Sequence, residues 1–202
     1  MLYELFILSY FFFSTLCFII DYYFPYYRIE PLEKTKVINE YNKIIPKVCL
    51  NIIVTQPFFY LSNYYYRIIT KNNNSFFYNY LVWVLISDLI FYTTHRILHL
   101  KRFYFLHALH HSYRYTFGIG AIYSHPIEFI VNNLGSLIVP ILILGIPQYQ
   151  VCFIIIITSF ITVVISHGGY IKDQSHLIHH LKCKYNYGLF ITDYIFGTHY
   201  RS

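Results

Sequence analysis

Five apolar runs, at about 5–23, 44–62, 76–94, 117–144 and 149–166, dominate this sequence. A helix rises about 1.5 Å per residue, so roughly 20 residues cross the ~30 Å of bilayer hydrocarbon, and each run is near that length. Inside hydrocarbon the backbone has no water to bond with, and a helix satisfies its own N–H and C=O groups. Composition agrees with this reading. Of 202 residues, 56% are hydrophobic and only 12% charged, and the mean hydropathy is +0.44. Such a chain has too little polar surface to coat a soluble globule, and it is neither disordered, collagenous nor a disulfide scaffold. Cys17, Cys49, Cys152 and Cys183 form no CxxC pair, so no disulfide is expected.

The first run lacks a basic leader and a small-residue cleavage site, which makes it an uncleaved anchor. Pro25 and Pro31 punctuate a charged stretch, Arg28 to Lys43, that reads as an extramembrane loop; the second run, interrupted by Pro46 and Pro57, is either spanning or re-entrant. Gly145, Ile146 and Pro147 join the last two runs in an antiparallel hairpin. The net charge of +6 does not point to nucleic acid, because the 15 Lys and Arg residues fall between apolar runs rather than on a polar helix face. With five crossings, all of them except Arg67 and Lys71 lie on one side. Cytoplasmic loops retain such residues, so the N-terminus is expected outside or in a lumen, together with the sequon Asn73-Asn74-Ser75.

Histidine grouping carries the chemistry. Eight of eleven fall in three clusters on the basic side: His95 and His99; His107, His110 and His111; His176, His179 and His180. Helical residues three and four apart share a face, so each set can aim its imidazoles inward. Neutral imidazole suits iron, zinc, copper or nickel, and eight such ligands are twice what one tetrahedral ion takes. Two ions fit the count. Asp88, Tyr92, His95 and His99 follow one helix face, where Asp88 either accepts a hydrogen bond from a ligand imidazole or snorkels as a helix-end carboxylate. Tyr113, Arg114 and Tyr115 follow the second cluster as candidate substrate, donor or headgroup contacts.

The blocks His95-Arg-Ile-Leu-His99, His107-Ala-Leu-His110-His111, Ile122-Tyr-Ser-His125-Pro-Ile-Glu128 and His176-Leu-Ile-His179-His180, followed by Asn186-Tyr-Gly188 and Asp193 to Thr198, resemble the fatty acid hydroxylase/sterol desaturase superfamily over about residues 80–200. The His-Pro-x-Glu block is most similar to sterol C4-methyl oxidases and sterol desaturases. The resemblance implies an all-α membrane protein of four to five transmembrane helices under a cytosolic histidine-rich metal-binding cap. It divides the chain into N-terminal anchor helices and loops at 1–75 and a hydroxylase-like catalytic domain at 76–202.

By the same resemblance, the eight clustered histidines and the isolated His167 are metal ligands, His125 is a ligand or a supporting residue, and Glu128 and Asp193 support the ligands or fix loops. The cofactor implied is a pair of non-haem iron ions, used with O2 to hydroxylate or desaturate a sterol or long-chain lipid in the endoplasmic reticulum membrane. No haem-domain or flavin motif is present in the sequence, so NAD(P)H-derived electrons are expected from an external cytochrome b5-type donor and its reductase. The interval from His167 to His176 is shorter than in most relatives, which either shifts the third cluster out of register or trims a surface loop. The alternatives are a multi-pass b-type haem electron carrier and a catalytically inactive metal-binding scaffold.

Overall fold

The computed structural model describes residues 2–113, 116–172, 174–189 and 191–200. In chain order its helices are α1 (Leu2–Tyr23), α2 (Lys34–Ile68), α3 (Phe76–Leu98), the short α4 (Tyr104–His107), α5 (Pro126–Leu144), α6 (Gln148–Ser166), α7 (Ser175–Lys182) and the short α8 (Thr192–Ile195). All regular structure among the described residues is helical. Five of these helices, α1, α2, α3, α5 and α6, are long and apolar enough to cross a membrane.

Two boundaries differ from the sequence reading. Helix α2 starts at Lys34, inside the stretch expected to be loop, and runs unbroken through Pro46 and Pro57 for 35 residues. At 1.5 Å per residue that is about 52 Å, well beyond the hydrocarbon thickness, so its charged first turns extend past the membrane. Its buried positions Val37, Tyr41, Ile44, Val48, Ile52, Thr55 and Phe59 recur every three or four residues as a single stripe, and side chains such as Ile38, Ile45 and Ile53 on other faces are exposed. The fourth apolar run is shortened instead: residues Gly118–Ile122 form a buried 3-10 turn packed against α1, α2 and the end of α6. Helix α5 begins only at Pro126, where proline costs no backbone bond and the His125 side chain accepts the Ile127 N–H at 3.2 Å.

Polar side chains fasten the helices at chosen depths. Trp83 Nε1 donates to Leu137 O at 3.1 Å and Ser87 Oγ to Ser136 O at 2.7 Å, joining α3 to α5. Ser9 and Ser159 Oγ atoms, 2.9 Å apart, join α1 to α6. In hydrocarbon, such bonds and close packing replace the solvent-driven attraction of helices in water. Asn51 Nδ2 donates to both Ile122 O (2.7 Å) and Ser124 O (2.9 Å), holding the buried turn that leads into α5. The α5–α6 hairpin expected from its linker is present. Gly145 caps α5 at φ +59°, a left-handed conformation that suits glycine, and Ile146 N–H returns to Ile141 O.

The alternation of directions brings the ends of α1, α3 and α6 together with the starts of α2 and α5. Two π-helical stretches sit at this end: Phe129–Leu134, directly after Glu128, and Ile161–Ser166, directly before His167. Such stretches often mark functional sites.

Candidate metal centre

Nine histidines meet at this end, in two groups. His95, His99, His107, His111 and His179 form one; His110, His167, His176 and His180 form the other. Within each group the ring nitrogens lie within 4.8 Å of one another. The groups adjoin, with His111 and His180 ring centres 4.6 Å apart. His95 is the last-turn residue of α3 and His99 its C-cap; His107 ends α4 and His110 and His111 open the next turn; His167 caps α6; His176, His179 and His180 lie on α7.

The partition follows helix geometry. Residues i and i+4 are offset by about 40° around a helix, whereas i+3 lies about 60° to the other side. On α7, His176 and His180 therefore pair while His179 crosses over; His107 and His111 likewise share one group while His110 joins the other, across the turn that follows α4. Each His-x-x-His-His block straddles both groups.

The nitrogens that face inward are Nε2 atoms at short range. His95 and His107 stand 3.0 Å apart, His99 and His179 2.9 Å, His99 and His107 3.1 Å, and His111 and His179 3.1 Å. In the second group His176 Nε2 is 3.3 Å from His110, 3.1 Å from His167 and 3.2 Å from His180. The other ring nitrogen of several is committed as a donor. His95 Nδ1 donates to Tyr187 O (2.7 Å), His179 Nδ1 to Tyr185 O (2.6 Å) and His167 Nδ1 to Thr162 O (2.8 Å), while His107 Nδ1 shares a hydrogen bond with Glu128 Oε1 (2.7 Å). A carbonyl oxygen only accepts, so Nδ1 of His95, His179 and His167 carries the proton and their Nε2 atoms are bare lone pairs.

Burial, reinforced by neighbouring imidazoles, pulls His99 and His111 down to about 3. Burial is the leading cause that lowers His167 and His179 to about 4. It also lowers His107, His110, His176 and His180, again with help from nearby rings. Neutral lone pairs packed this closely repel unless a cation lies among them. Imidazole nitrogens bind a metal at about 2.1 Å, so two of them at right angles stand roughly 3.0 Å apart, which is the spacing found here. Five nitrogens in one group also exceed the four-ligand shell of structural zinc.

The acidic residues divide the labour differently from the sequence expectation. Glu128, not Asp88, bonds a clustered imidazole, and its pair with His107 is almost fully buried. The Asp88 carboxylate instead accepts the amides of Leu189 (2.6 Å), Ile191 (2.7 Å) and Thr192 (2.9 Å), because the chain after α7 doubles back along α3 to that depth. Asp193 fixes the same segment: Oδ1 accepts from Tyr187 N and Thr198 Oγ1, and Oδ2 from Gly188 N, at 2.7–2.8 Å. Two carboxylates thus hold the loop whose Tyr185 and Tyr187 carbonyls orient His179 and His95. Sequence reasoning missed these carbonyls and that of Thr162, since a backbone oxygen has no residue signature.

His125 is in neither group; it caps α5. The short interval does not displace the third cluster, as the 3.1 Å between His167 and His176 shows. Tyr113 packs on Phe117 and Tyr123 with Lys43 over its ring, whereas Arg114 and Tyr115 lie outside the described residues. A cavity of about 200 Å³ leads from His95, His107, His110, His167 and His176 down between α3, α5, α6 and α1, past Trp83, Phe91, Phe129, Leu137 and Val163. It is more than ten times the space one buried water needs, and its walls are mainly apolar.

Fold and site together define a polytopic helical membrane protein with a buried cluster of imidazoles suited to holding metal ions. The chain belongs to the fatty acid hydroxylase family, which residues 80–198 match. It is 34% identical over 124 residues to human fatty acid hydroxylase domain-containing protein 2, covering 58% of this chain and 37% of that one. It is 30% identical over 123 residues to Delta(7)-sterol 5(6)-desaturase ERG3 of Saccharomyces cerevisiae, covering 56% and 33%. Over 58 residues it is 40% identical to C-4 methylsterol oxidase erg25 of Schizosaccharomyces pombe, covering 28% and 19%. The chain spans less than half the length of each of these relatives. No solved structure matches it.

Proposed function

We propose that this chain is a non-haem di-iron oxygenase that hydroxylates or desaturates a sterol or long-chain lipid, drawing O2 and externally supplied electrons. The observation that carries the reading is the convergence of nine imidazoles in two adjoining groups, with neighbouring Nε2 atoms 2.9–3.3 Å apart. In it, His95, His99, His107, His111 and His179 hold one ion and His110, His167, His176 and His180 the other. Bound iron supplies reductive activation of O2, a redox step no side chain performs. The protein's own part is positional. Glu128 and the Tyr185, Tyr187 and Thr162 carbonyls lock imidazole tautomers, and the apolar cavity excludes water while aligning an elongated hydrocarbon beside the histidines.

The names of the yeast relatives favour a sterol, with C4-methyl oxidation or desaturation as sub-type. The basic residues gathered at the histidine end support a cytosol-facing site in the endoplasmic reticulum membrane, served by a cytochrome b5-type donor and its reductase. Residues 76–202 form the catalytic part and 1–75 the anchor. Rings whose nitrogens stand about 3 Å apart leave no slot for a porphyrin, which weighs against the haem carrier. The test compares membrane lipids by mass spectrometry from cells expressing the wild type or His110→Ala. Oxygenated or desaturated products only with the wild type support the assignment; identical lipid profiles refute it.

A further inference from the structure

Outside the family match, α1 and the connection that follows it contribute a buried ion pair whose place is specific. Asp21 and Arg28 are 0% and 3% exposed, with Arg28 Nη1 2.8 Å from Asp21 Oδ1. Tyr41 donates to Asp21 Oδ2 at 2.9 Å and Tyr170 to Asp21 Oδ1 at 3.0 Å, so the carboxylate is held from three sides. The guanidinium then reaches two backbone segments. Nη1 donates to Gly168 O at 3.2 Å and Nη2 to Thr116 O at 2.9 Å, with Phe117 beneath the plane at 4.6 Å. Ile29 N–H adds a bond to Gly169 O at 3.0 Å.

Gly168 directly follows His167, and Thr116 lies six residues after His110, two members of the four-histidine group. We propose that Arg28, oriented by Asp21, is a positioning residue that clamps these segments and thereby sets His167 and His110 for the second metal ion. The inference rests on the dinuclear reading above. It makes the N-terminal hairpin part of the metal site's scaffold as well as an anchor. A rigid planar fork is required, since one side chain must serve two carbonyls and a carboxylate at once. Lysine keeps the charge but offers a single nitrogen.

The experiment measures iron per chain in purified full-length protein after dialysis against a chelator that leaves the wild type with two ions. Arg28→Lys is expected to retain about one, as His167→Ala does, and combining the two is expected to remove no more, because outer partners of a ligand typically contribute 10–100-fold in metal affinity. Gly169→Ala attacks the same junction from the other side and substitutes for Arg28→Lys should that variant aggregate. Gly169 has φ +77°, and a Cβ there meets Arg28 Nη2 at 3.1 Å and Thr116 O at 3.2 Å. Retention of both ions by a monodisperse variant overturns the clamp, and so does loss of both, which would show a general rather than a local role. A wild type unable to hold two ions under any loading condition refutes the dinuclear reading itself and the clamp with it.

Discussion

Glu128 Oε1 lies 2.7 Å from His107 Nδ1, in a pair whose side chains are 2% and 1% exposed. The carboxyl sits at the start of α5 and the imidazole at the end of α4, 21 residues earlier, and the contact fixes the ring so that His107 Nε2 faces His95 and His99. Replacing Glu128 with Ala is expected to weaken metal retention by the five-histidine group about 10- to 100-fold, whereas Gln, which keeps an acceptor oxygen, is expected to preserve most of it. Competition with a graded chelator series measures both.

Neighbouring histidines on one helix fall in different groups. His179→Ala depletes the five-histidine group and His176→Ala the four-histidine group, although only three residues separate them. On the di-iron reading proposed above, each is expected to leave about one iron per chain and to abolish lipid oxidation. Iron analysis and product mass spectrometry on the same preparations check this, and a variant with full turnover would contradict it.

Acid is expected to destabilise the metal-free protein. His99 and His111 titrate near 3 and His167 and His179 near 4 when folded, against about 6.5 when unfolded. Below pH ~6.5 the unfolded chain takes up protons that the folded chain refuses, so stability falls with pH until the folded values are reached. The thermal midpoint in detergent should therefore drop progressively from about pH 6.5 to pH 4, with little change between pH 7 and 8 from these groups. A midpoint independent of pH across the acid window would contradict the burial of neutral imidazoles.

Asp88 acts through the C-terminal segment. Asp88→Ala leaves the Leu189, Ile191 and Thr192 amides without their acceptor, at a cost on the order of 3 kcal/mol for several stranded donors. The expected result is a lower unfolding midpoint together with poorer metal retention, because the loop also presents the Tyr187 carbonyl to His95. Unchanged metal retention would separate loop stability from the site.

Much of the architecture was legible because the bilayer imposes one length and one backbone solution. Runs such as 76–94 and 149–166 therefore announce α3 and α6 directly. The errors fall where apolarity and spanning part company. Residues 117–123 are apolar yet pack as a buried turn, and Lys34 to Lys43 are polar yet helical, since a helix may continue into water once it leaves the membrane. Asp88 shared a helix face with His95 and His99, but a face does not tell which neighbour arrives to use it.

What the sequence by itself determined is the ligand chemistry: neutral imidazoles at three- and four-residue spacings, placed at the ends of apolar helices. The tertiary structure alone decided which histidines share a group, that Glu128 rather than Asp88 bonds a clustered imidazole, and that Arg28 from the first hairpin reaches the segment after His167. Spacing along one helix specifies angles within that helix, whereas these relationships depend on separate helices and backbone carbonyls meeting in space, and no local pattern encodes that.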